Sequence, residues 1–429
     1  MKISKLSVTG LRALSQAEFE FNPGINLLVG VNGVGKTTVL DALRISLSRI
    51  LPRITSSNSP KLSFELSDIS IGSKSLEISC DFESNSISSN LILQKNQEPI
   101  IFKERKSESP KYISKRDVFK GTHDIEIMSN SFSSLVQESE KSKIQAVGIY
   151  FSTKRSILVD QKVSSTATAG GQSSAFAESL SGNREFNLRI IAQWFKVQEE
   201  LGVERPFVLK HIAVLKNAID KFLPEFNNLH VIEIEGVSQL RIDKKGMPFD
   251  LRQLSDGERG VLSMVLDIAR RLSLANPELS DPLTDGKAIV LIDELDLHLH
   301  PKWQRTIVEN LTRTFPNCQF IATTHSPQIL GEVKPENIII IEKVIYRPLG
   351  SFGIDSSRVL EEILDTLPRN NKVNKIIEEL NKSIDENNLK QAKEYLKELK
   401  GFLGPNDPDV TRSSTMISFL ETDSTDETN

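Results

Sequence analysis

The sequence predicts an α/β fold built on a mainly parallel sheet, and three observations carry this prediction. The first is a buried strand, "INLLV", followed by a glycine-rich turn and a helical pattern, "TTVLDALRISLSRIL". The second is a set of three apolar runs, "AIVLI", "CQFIATT" and "NIIIIE", with helical material between the first two. The third is that these runs are continuous rather than alternating, which indicates strands buried on both faces. Alternation of such strands with helices favours right-handed crossovers within one sheet.

Composition limits the class of protein. The chain of 429 residues is too long for one ordinary hydrophobic core, which indicates two or three modules. Its 38% hydrophobic and 26% charged residues are typical of soluble globular domains. The net charge of −4 means that any contact with nucleic acid must come from a local patch. Cys80 and Cys318 lie in apolar stretches, so we expect two buried thiols and a reducing, cytoplasmic compartment. The sequence offers neither a signal peptide nor a run of ~18 apolar residues, so we expect no membrane contact.

The remaining elements follow along the chain. Alternating polar and apolar residues in "KISKLSV", "AEFEF" and "SLEISCDF" predict antiparallel strands, and "QAVGIYF" predicts another buried strand. Two helical patterns, "EFNLRIIAQWFKVQEEL" and "PFVLKHIAVLKNAIDKFL", predict a helical subdomain. The strands "LHVIEIEG" and "SQLRID" follow it. Residues 356–403 predict two amphipathic helices joined at "DENN".

Two segments carry little regular pattern. Residues 103–120 hold seven basic against three acidic residues, and two interpretations stay open: a solvated loop, or contact with a DNA backbone. Residues 163–183 have no period and almost no charge, which predicts a mobile loop. The candidate DNA contacts are Lys103, Arg105, Lys106, Lys115 and Arg116.

Residues 30–37, "GVNGVGKT", match the pattern G-x-x-x-x-G-K-[ST] between a predicted strand and a predicted helix. Glycines let backbone N–H groups point into one concavity that binds phosphate oxygens, and the helix N-terminus faces the same place. We expect Lys36 to reach the β- and γ-phosphates of ATP and Thr37 to ligate Mg²⁺. The candidate nucleotide-binding residues are Gly30, Asn32, Gly33, Val34, Gly35, Lys36, Thr37 and Thr38.

The stretch "LIDELDLHLHP" follows the strand "AIVLI" and concentrates residue types that bind metals. One interpretation is the second acidic motif of a P-loop site, with Asp293 in the Mg²⁺ shell and Glu294 polarising the attacking water. The alternative is a zinc site, which requires three ligands that converge on one ion. His298 and His300 are two residues apart and would diverge on a helix, so we expect them in the turn after the strand.

The stretch "LSDGERG" opens a helix. By itself it predicts a helix cap, with Ser255 or Asp256 as the N-cap residue and Glu258 in the first turn. Beside two nucleotide motifs, Ser255 and Gly257 also become candidate anion contacts at a helix N-terminus. His325 in "TTHSP" ends a strand that we expect to neighbour the Asp293 strand, where it would face the γ-phosphate.

In this order, GxxxxGKT, LSDGE, LIDE with "LDLHLHP", and TTHSP resemble the ABC-type ATPase heads of the SMC, Rad50, RecF and OLD kind. The resemblance covers roughly residues 1–95 and 185–345. It implies an ABC-type P-loop NTPase head with a mainly parallel sheet, an antiparallel β subdomain, a helical subdomain and a C-terminal helical pair. It also implies that Glu294 and His325 act in ATP hydrolysis. By the same resemblance, the signature, defined as Ser255, Asp256, Gly257 and Glu258, caps the nucleotide of a second protomer, and Asp296 lies in the loop between the two sites.

The sequence departs from several members of this group. It lacks the long heptad arms of Rad50 and SMC proteins, and the glutamine loop is not identifiable, with Asp68 as a weak substitute. "NDPDV" offers Asp407 and Asp409, but Pro408 lies between them and no apolar strand precedes them, so we expect no nuclease chemistry in this chain.

A short head without a nuclease looks most like the ATPase subunit of Septu-type anti-phage systems, PtuA, including retron-associated forms. This resemblance implies a head-to-head dimer or a higher oligomer, and a separate HNH nuclease, PtuB, as partner. Alternatives are a RecF- or Rad50-like DNA-repair ATPase that acts on DNA directly, and an OLD-like nuclease with a degenerate Toprim domain. A transporter ATPase is disfavoured by "LDLHLHP".

The expected organisation has five segments. They are the N-terminal part of the head (1–95), a Ser/Lys-rich insertion with one core strand and a mobile loop (96–184), the C-terminal part of the head (185–345), a helical partner-binding region (346–420) and a disordered tail (421–429).

Overall fold

The computed structural model describes residues 1–84, 87–100, 122–142, 144–156, 171–182, 188–205 and 208–426. The chain divides into two compact units, Met1–Ile354 and Asp355–Asn429, which we call the head unit and the C-terminal unit. Among the described residues, we find no helix whose length and apolar content would let it cross a bilayer.

The head unit contains a six-stranded sheet that is parallel except at one edge. Five of its strands are buried along their whole length, as continuous apolar runs predict. The prediction of a mainly parallel sheet is confirmed. In spatial order the strands are β14 (Ile345–Tyr346), β13 (Ile338–Ile341), β3 (Ile25–Val29), β12 (Cys318–Thr323), β11 (Ala288–Ile292) and β7 (Val147–Phe151).

A five-stranded antiparallel sheet forms the β subdomain of the head unit. In spatial order its strands are β2 (Leu14–Glu20), β1 (Lys2–Leu11), β4 (Ser75–Ser84), β5 (Ile87–Ile100) and β6 (Thr122–Met128). Helix α1 (Lys36–Ile54) shares one apolar core with both sheets, and α2 (Phe132–Lys141) adds Phe132 edge-to-face on Phe82. Strands β5 and β6 extend this sheet into the segment expected to be an insertion, because their alternating apolar residues pair with β4 and with each other.

The second half of the head unit supplies the helical subdomain and a small sheet. Three strands in the order β10-β9-β8 form that sheet, namely β8 (Phe226–Ile234), β9 (Val237–Lys244) and β10 (Met247–Asp250). The helices are α3 (Leu188–Glu204), α4 (Leu209–Phe222), α5 (Asp256–Ala275), α6 (Pro282–Asp285), α7 (Pro301–Thr314) and α8 (Pro327–Leu330). Helix α5 is buried along most of its length.

The prediction of a mobile loop over residues 163–183 is wrong for residues 171–182, the part that the structure describes. This part packs on α5, and Phe176 is 1% exposed. The buried guanidinium of Arg271 donates a hydrogen bond of 2.6 Å to the carbonyl oxygen of Ala175. The sequence pattern misses this arrangement because the groups that hold the segment lie about a hundred residues away on a helix.

Both cysteines are buried and free, as predicted. Burial raises the pKa of the Cys80 thiol and of the Cys318 thiol to about 12. The two thiols are therefore protonated and unreactive at neutral pH.

The C-terminal unit consists of α9 (Ser356–Glu362), α10 (Asn371–Asp385), α11 (Leu389–Leu403) and α12 (Pro408–Asp426). A third long helix, α12, therefore accompanies the expected helical pair, α10 and α11. Val410 and Ile417 of α12 are buried in the core that α10 and α11 form, so the apolar stripes of the pair are largely covered.

The prediction of a disordered tail over residues 421–429 is wrong for residues 421–426, which belong to α12. Asp407 accepts a hydrogen bond of 3.0 Å from the Asp409 N–H, and Pro408 suits the start of a helix. The unit boundary also differs from the expected one at 345/346. The chain stays in the head unit through Ile354, where the Gly353 N–H donates to Gly331 over 2.8 Å.

Candidate functional site

The glycine loop joins β3 to α1 at the carboxyl edge of the parallel sheet. Gly30, Gly33 and Gly35 have φ values of 153°, 86° and 108°, a region that residues with a Cβ rarely adopt. A Cβ at Gly30 would also collide with the backbone carbonyl of Ile341, and one at Gly35 would meet the Leu14 side chain at 3.0 Å. The glycines are therefore required by the loop conformation and by its close packing.

Lys36 lies at the start of α1 with its ammonium inside the loop. Its Nζ donates to the carbonyl oxygens of Gly30 and Val31 over 2.8 and 3.0 Å. Burial lowers the pKa of Lys36, while Asp293, Glu294 and Asp296 act in the opposite direction. The loop thus presents a confined cation where the sequence predicts phosphate contacts.

Thr37 and Asp293 meet although they are 256 residues apart in sequence. Thr37 Oγ1 lies 3.3 Å from each carboxylate oxygen of Asp293. Thr323 Oγ1 donates to Asp293 Oδ1 over 2.8 Å from the neighbouring strand. A hydroxyl and a carboxylate oxygen side by side are hard donors of the kind that Mg²⁺ prefers. The residues present therefore fit the predicted metal.

Glu294 follows Asp293 in a left-handed conformation, with φ 51°. Its backbone N–H donates to Thr323 Oγ1 over 2.7 Å, which fixes the turn after β11. The turn brings the Glu294 side chain into the same cleft as Lys36. This cleft has a volume of about 190 Å³ and is lined by Asn32, Gly33, Gly35, Lys36, Thr37, Thr38, Asp293, Glu294, Thr323 and His325.

His325 lines the cleft from the segment after β12. Burial and then the Lys36 charge lower the pKa of His325, and the nearby carboxylates only partly oppose this. The backbone N–H of His325 donates to Asp296 Oδ1 over 3.3 Å, and Thr324 Oγ1 donates to the same oxygen over 2.6 Å. Asp296 is thereby tied to the histidine segment within one chain.

Thr323 and Thr324 are functional candidates that the sequence analysis did not single out. Both are buried, at 1% and 0% exposure, and their hydroxyls bind Asp293, Glu294 and Asp296. The available signal was two consecutive hydroxyl residues at the end of the buried strand β12.

The two histidines of "LDLHLHP" have backbone roles. His298 is exposed and has φ 59° in the turn after β11. His300 is the N-cap of α7, where its Nδ1 accepts the Lys302 N–H over 3.2 Å. Within the described ranges, no group of three or more His, Cys, Asp or Glu side chains converges as a metal site. The zinc alternative therefore has no support from this part of the chain.

The signature lies at the start of α5 and forms a capping box. The Ser255 N–H donates to Glu258 Oε2 over 3.0 Å, and the Glu258 N–H donates to Ser255 Oγ over 3.4 Å. A Cβ at Gly257 would collide with the His298 carbonyl oxygen, so glycine lets α5 approach the turn after Asp296. Ser255 is not among the residues that line the cleft around Lys36.

Other candidates lie elsewhere or outside the described residues. Asp68 accepts a hydrogen bond of 2.9 Å from Arg12 Nε. Asp407 and Asp409 both face Arg369, at 3.3 and 2.7 Å. These three carboxylates therefore take part in ion pairs. The candidate DNA contacts Lys103, Arg105, Lys106, Lys115 and Arg116 lie outside the described residues.

Comparison with known proteins gives the family of this chain. A family model described as an AAA domain matches residues 5–229, more than half of the chain. This chain belongs to the AAA domain family of ATPases. A second AAA domain model, whose description also names a type IV toxin–antitoxin system, matches residues 173–331 of this AAA domain ATPase.

Curated relatives resemble the AAA domain ATPase over most of its length. It is 28% identical to the Retron Ec83 probable ATPase of Escherichia coli, covering 84% of this chain and 76% of the relative. It is 27% identical to the Retron Vc95 probable ATPase of Vibrio cholerae serotype O1 biovar El Tor, covering 84% and 79%. It is 23% identical to the Septu protein PtuA of Bacillus thuringiensis, covering 95% of each. The predicted resemblance to ABC-type ATPases of the retron and Septu kind is confirmed.

Two solved structures resemble this chain at low identity. One is the SmcHead bound to the C-winged helix domain of ScpA, at 13% identity and a TM-score of 0.46, covering 81% of this chain and 97% of that one. The other is the recombination mediator protein RecF-ATPrS, at 13% identity and a TM-score of 0.42, covering 81% and 98%.

Proposed function

We propose that this ATPase binds and hydrolyses ATP–Mg²⁺ in the cleft at the glycine loop. We further propose that it uses the closure of two copies to control a separate HNH nuclease in anti-phage defence in the cytoplasm. The observation that carries the proposal is the convergence of Lys36, Thr37, Asp293, Glu294 and His325 on one cleft.

Each side chain in the cleft has a role that its chemistry allows. Lys36 neutralises charge at the β- and γ-phosphates. Thr37 and Asp293 would hold Mg²⁺, whose positive charge would offset that of the phosphates. Glu294 accepts the proton of the attacking water. His325, whose lowered pKa keeps it neutral at pH 7, donates a hydrogen bond to the γ-phosphate.

The position of the signature supports the proposal that a second copy completes the site. Ser255 does not line the cleft of its own chain, yet it presents a hydroxyl at the N-terminus of a 20-residue helix, where an anion is favoured. We propose that the signature of one copy contacts the nucleotide held by the other, in a head-to-head dimer or a larger assembly. Asp296, bound by Thr324 and His325, would lie between the two sites.

The nuclease partner is proposed from the relatives, which are retron ATPases and a Septu protein. We place the docking surface on the C-terminal unit, which is compact on its own. Helix α12 covers most of the apolar stripes of α10 and α11, so the assignment rests on the compactness of the unit alone.

Two variants test the proposal together. Lys36→Ala should lose tight ATP binding because it removes the cation in the glycine loop. Deletion of residues 355–429 should keep ATP binding but abolish co-purification with the HNH nuclease. Binding is measured by titration with a fluorescent ATP analogue, and assembly by affinity capture of the co-expressed nuclease. Wild-type ATP affinity in Lys36→Ala would refute the site, and full capture by the truncated chain would refute the docking surface.

A further inference from the structure

We propose that Lys244 is a positioning residue for the signature: through the Glu258 carboxylate it fixes Ser255 at the start of α5, so that the Ser255 hydroxyl is presented to the nucleotide of a second copy. This inference rests on the proposed function, because it assigns a role to a residue behind the signature. Lys244 ends β9 and lies outside the glycine loop, the signature and the segments that carry Asp293 and His325.

Lys244 and the signature meet through one carboxylate. The Lys244 ammonium forms an ion pair with Glu258 Oε1, and the other oxygen, Oε2, accepts the Ser255 N–H over 3.0 Å. The two side chains of the ion pair are 27% and 16% exposed, so the contact is partly shielded from water. Burial alone would raise the pKa of Glu258, but the bonds from Lys244 and Ser255 lower it overall. Glu258 is therefore an anion at neutral pH.

The consequence concerns the direction of the Ser255 hydroxyl. Its oxygen accepts the Glu258 N–H over 3.4 Å, and a hydroxyl has a single proton to donate. That proton lies beside the Glu258 carboxylate, and the interaction of the two side chains helps to lower the pKa of Glu258. Lys244 binds Oε1 of this carboxylate and holds it in place, and with it Ser255. The hydroxyl is thereby kept at the start of α5, where a phosphate oxygen of the second copy's nucleotide would accept its proton.

Lys244 is in turn fixed by the packing of neighbouring elements. It pairs in register with Phe226 of β8, and its ammonium lies 5.6 Å from the centre of the Phe226 ring. Phe226 is fully buried and packs edge-to-face on Trp303, with ring centres 6.3 Å apart. Trp303 lies in the first turn of α7, directly after the turn that carries Asp296. The packing of Phe226 on Trp303 therefore fixes the position of Lys244 relative to the start of α7.

The test compares Lys244→Met with Lys245→Met in the full-length protein. Lys245 is the next residue in the same turn and is exposed, so it controls for the loss of one positive charge. We expect Lys244→Met to keep the wild-type affinity for ATP and the wild-type melting temperature. We expect its turnover at limiting protein concentration to fall about tenfold, the effect of one charge-assisted hydrogen bond. Lys244→Arg should restore most of the turnover, and Lys245→Met should match wild type.

The outcomes separate this inference from the proposed function. If Ser255→Arg hydrolyses ATP normally at low protein concentration, the signature does not act across two copies and the proposed function fails. If Ser255→Arg is inactive while Lys244→Met matches Lys245→Met, only the role of Lys244 fails. A Lys244→Met protein whose ATP affinity and melting temperature fall together with turnover would also overturn the positioning role, because a purely structural contact predicts that pattern.

Discussion

Replacement of Thr323 by valine removes one hydroxyl that orders two catalytic candidates. Thr323 is 1% exposed, and valine has nearly the same shape, so the change is chemical rather than steric. The hydroxyl donates to Asp293 over 2.8 Å and accepts the Glu294 N–H over 2.7 Å. The variant loses both hydrogen bonds and places a methyl group against a carboxylate and a backbone N–H.

The expected magnitude follows from these two contacts. A buried polar group that loses its partner costs about 1–3 kcal/mol. Because one hydroxyl makes both bonds, we expect the free energy of unfolding of Thr323→Val to fall by about 2–4 kcal/mol. Glu294 adopts a left-handed backbone conformation, which costs about 1–2 kcal/mol for a residue with a side chain. In Thr323→Val this conformation loses the hydrogen bond to the Thr323 hydroxyl that stabilises it. A general base displaced by ~1 Å loses about 10²-fold in kcat.

The assay pairs urea denaturation with steady-state ATP turnover and ATP binding. Thr323→Ser is the matched control, because it keeps the hydroxyl and removes only a methyl group, at about 1 kcal/mol. We expect ATP affinity to stay near wild type in both variants, since Lys36 and the glycine loop are unchanged. If Thr323→Val and Thr323→Ser have equal kcat, the hydroxyl does not position Glu294 and this reasoning is refuted.

Three further predictions concern the cleft and the signature. Glu294→Gln should bind ATP normally and lose about 10²–10⁴-fold in kcat, measured by phosphate release, and unchanged turnover would remove Glu294 from the chemistry. Gly257→Ala should lower both the melting temperature and the turnover, because the new Cβ meets the His298 carbonyl. We expect the free energy of unfolding to fall by about 1–3 kcal/mol. A variant as stable as wild type contradicts the contact. Because burial and Lys36 lower the pKa of His325 below its ordinary 6.5, the imidazole is neutral at pH 7. The kcat should therefore fall only on acidification below pH 6.5, and an inflection above that pH, or one that persists in His325→Gln, contradicts the assignment.

Local sequence patterns were sufficient to predict the glycine loop and the positions of Asp293 and His325. The glycine loop is encoded by consecutive residues, and its three positive φ angles each require glycine, so "GVNGVGKT" predicted it directly. The position of Asp293 was also predictable, because acids that follow buried parallel strands collect at one edge of a sheet. His325 followed from the same reasoning, applied to the adjacent strand β12.

Contacts between distant segments were not predictable. Thr323 binds two residues in the turn after another strand, β11. Gly257 packs on the His298 carbonyl. Neither contact leaves a periodic signal in the sequence. Helix α12 was missed for a related reason. Its buried contacts come from a few apolar residues among serines, threonines and acids, so its amphipathic pattern is weak.

The central claim is that each ATP site is completed by the signature of a second copy, and mixing two inactive variants tests it most directly. Lys36→Ala lacks the phosphate cation, and Ser255→Arg lacks the signature hydroxyl. In a mixed dimer, one site combines the intact glycine loop of one copy with the intact signature of the other. With random pairing, about half of the dimers are mixed and one of their two sites is complete, so about a quarter of wild-type turnover should return. Turnover of the mixture no higher than the average of the two separate variants would contradict the account.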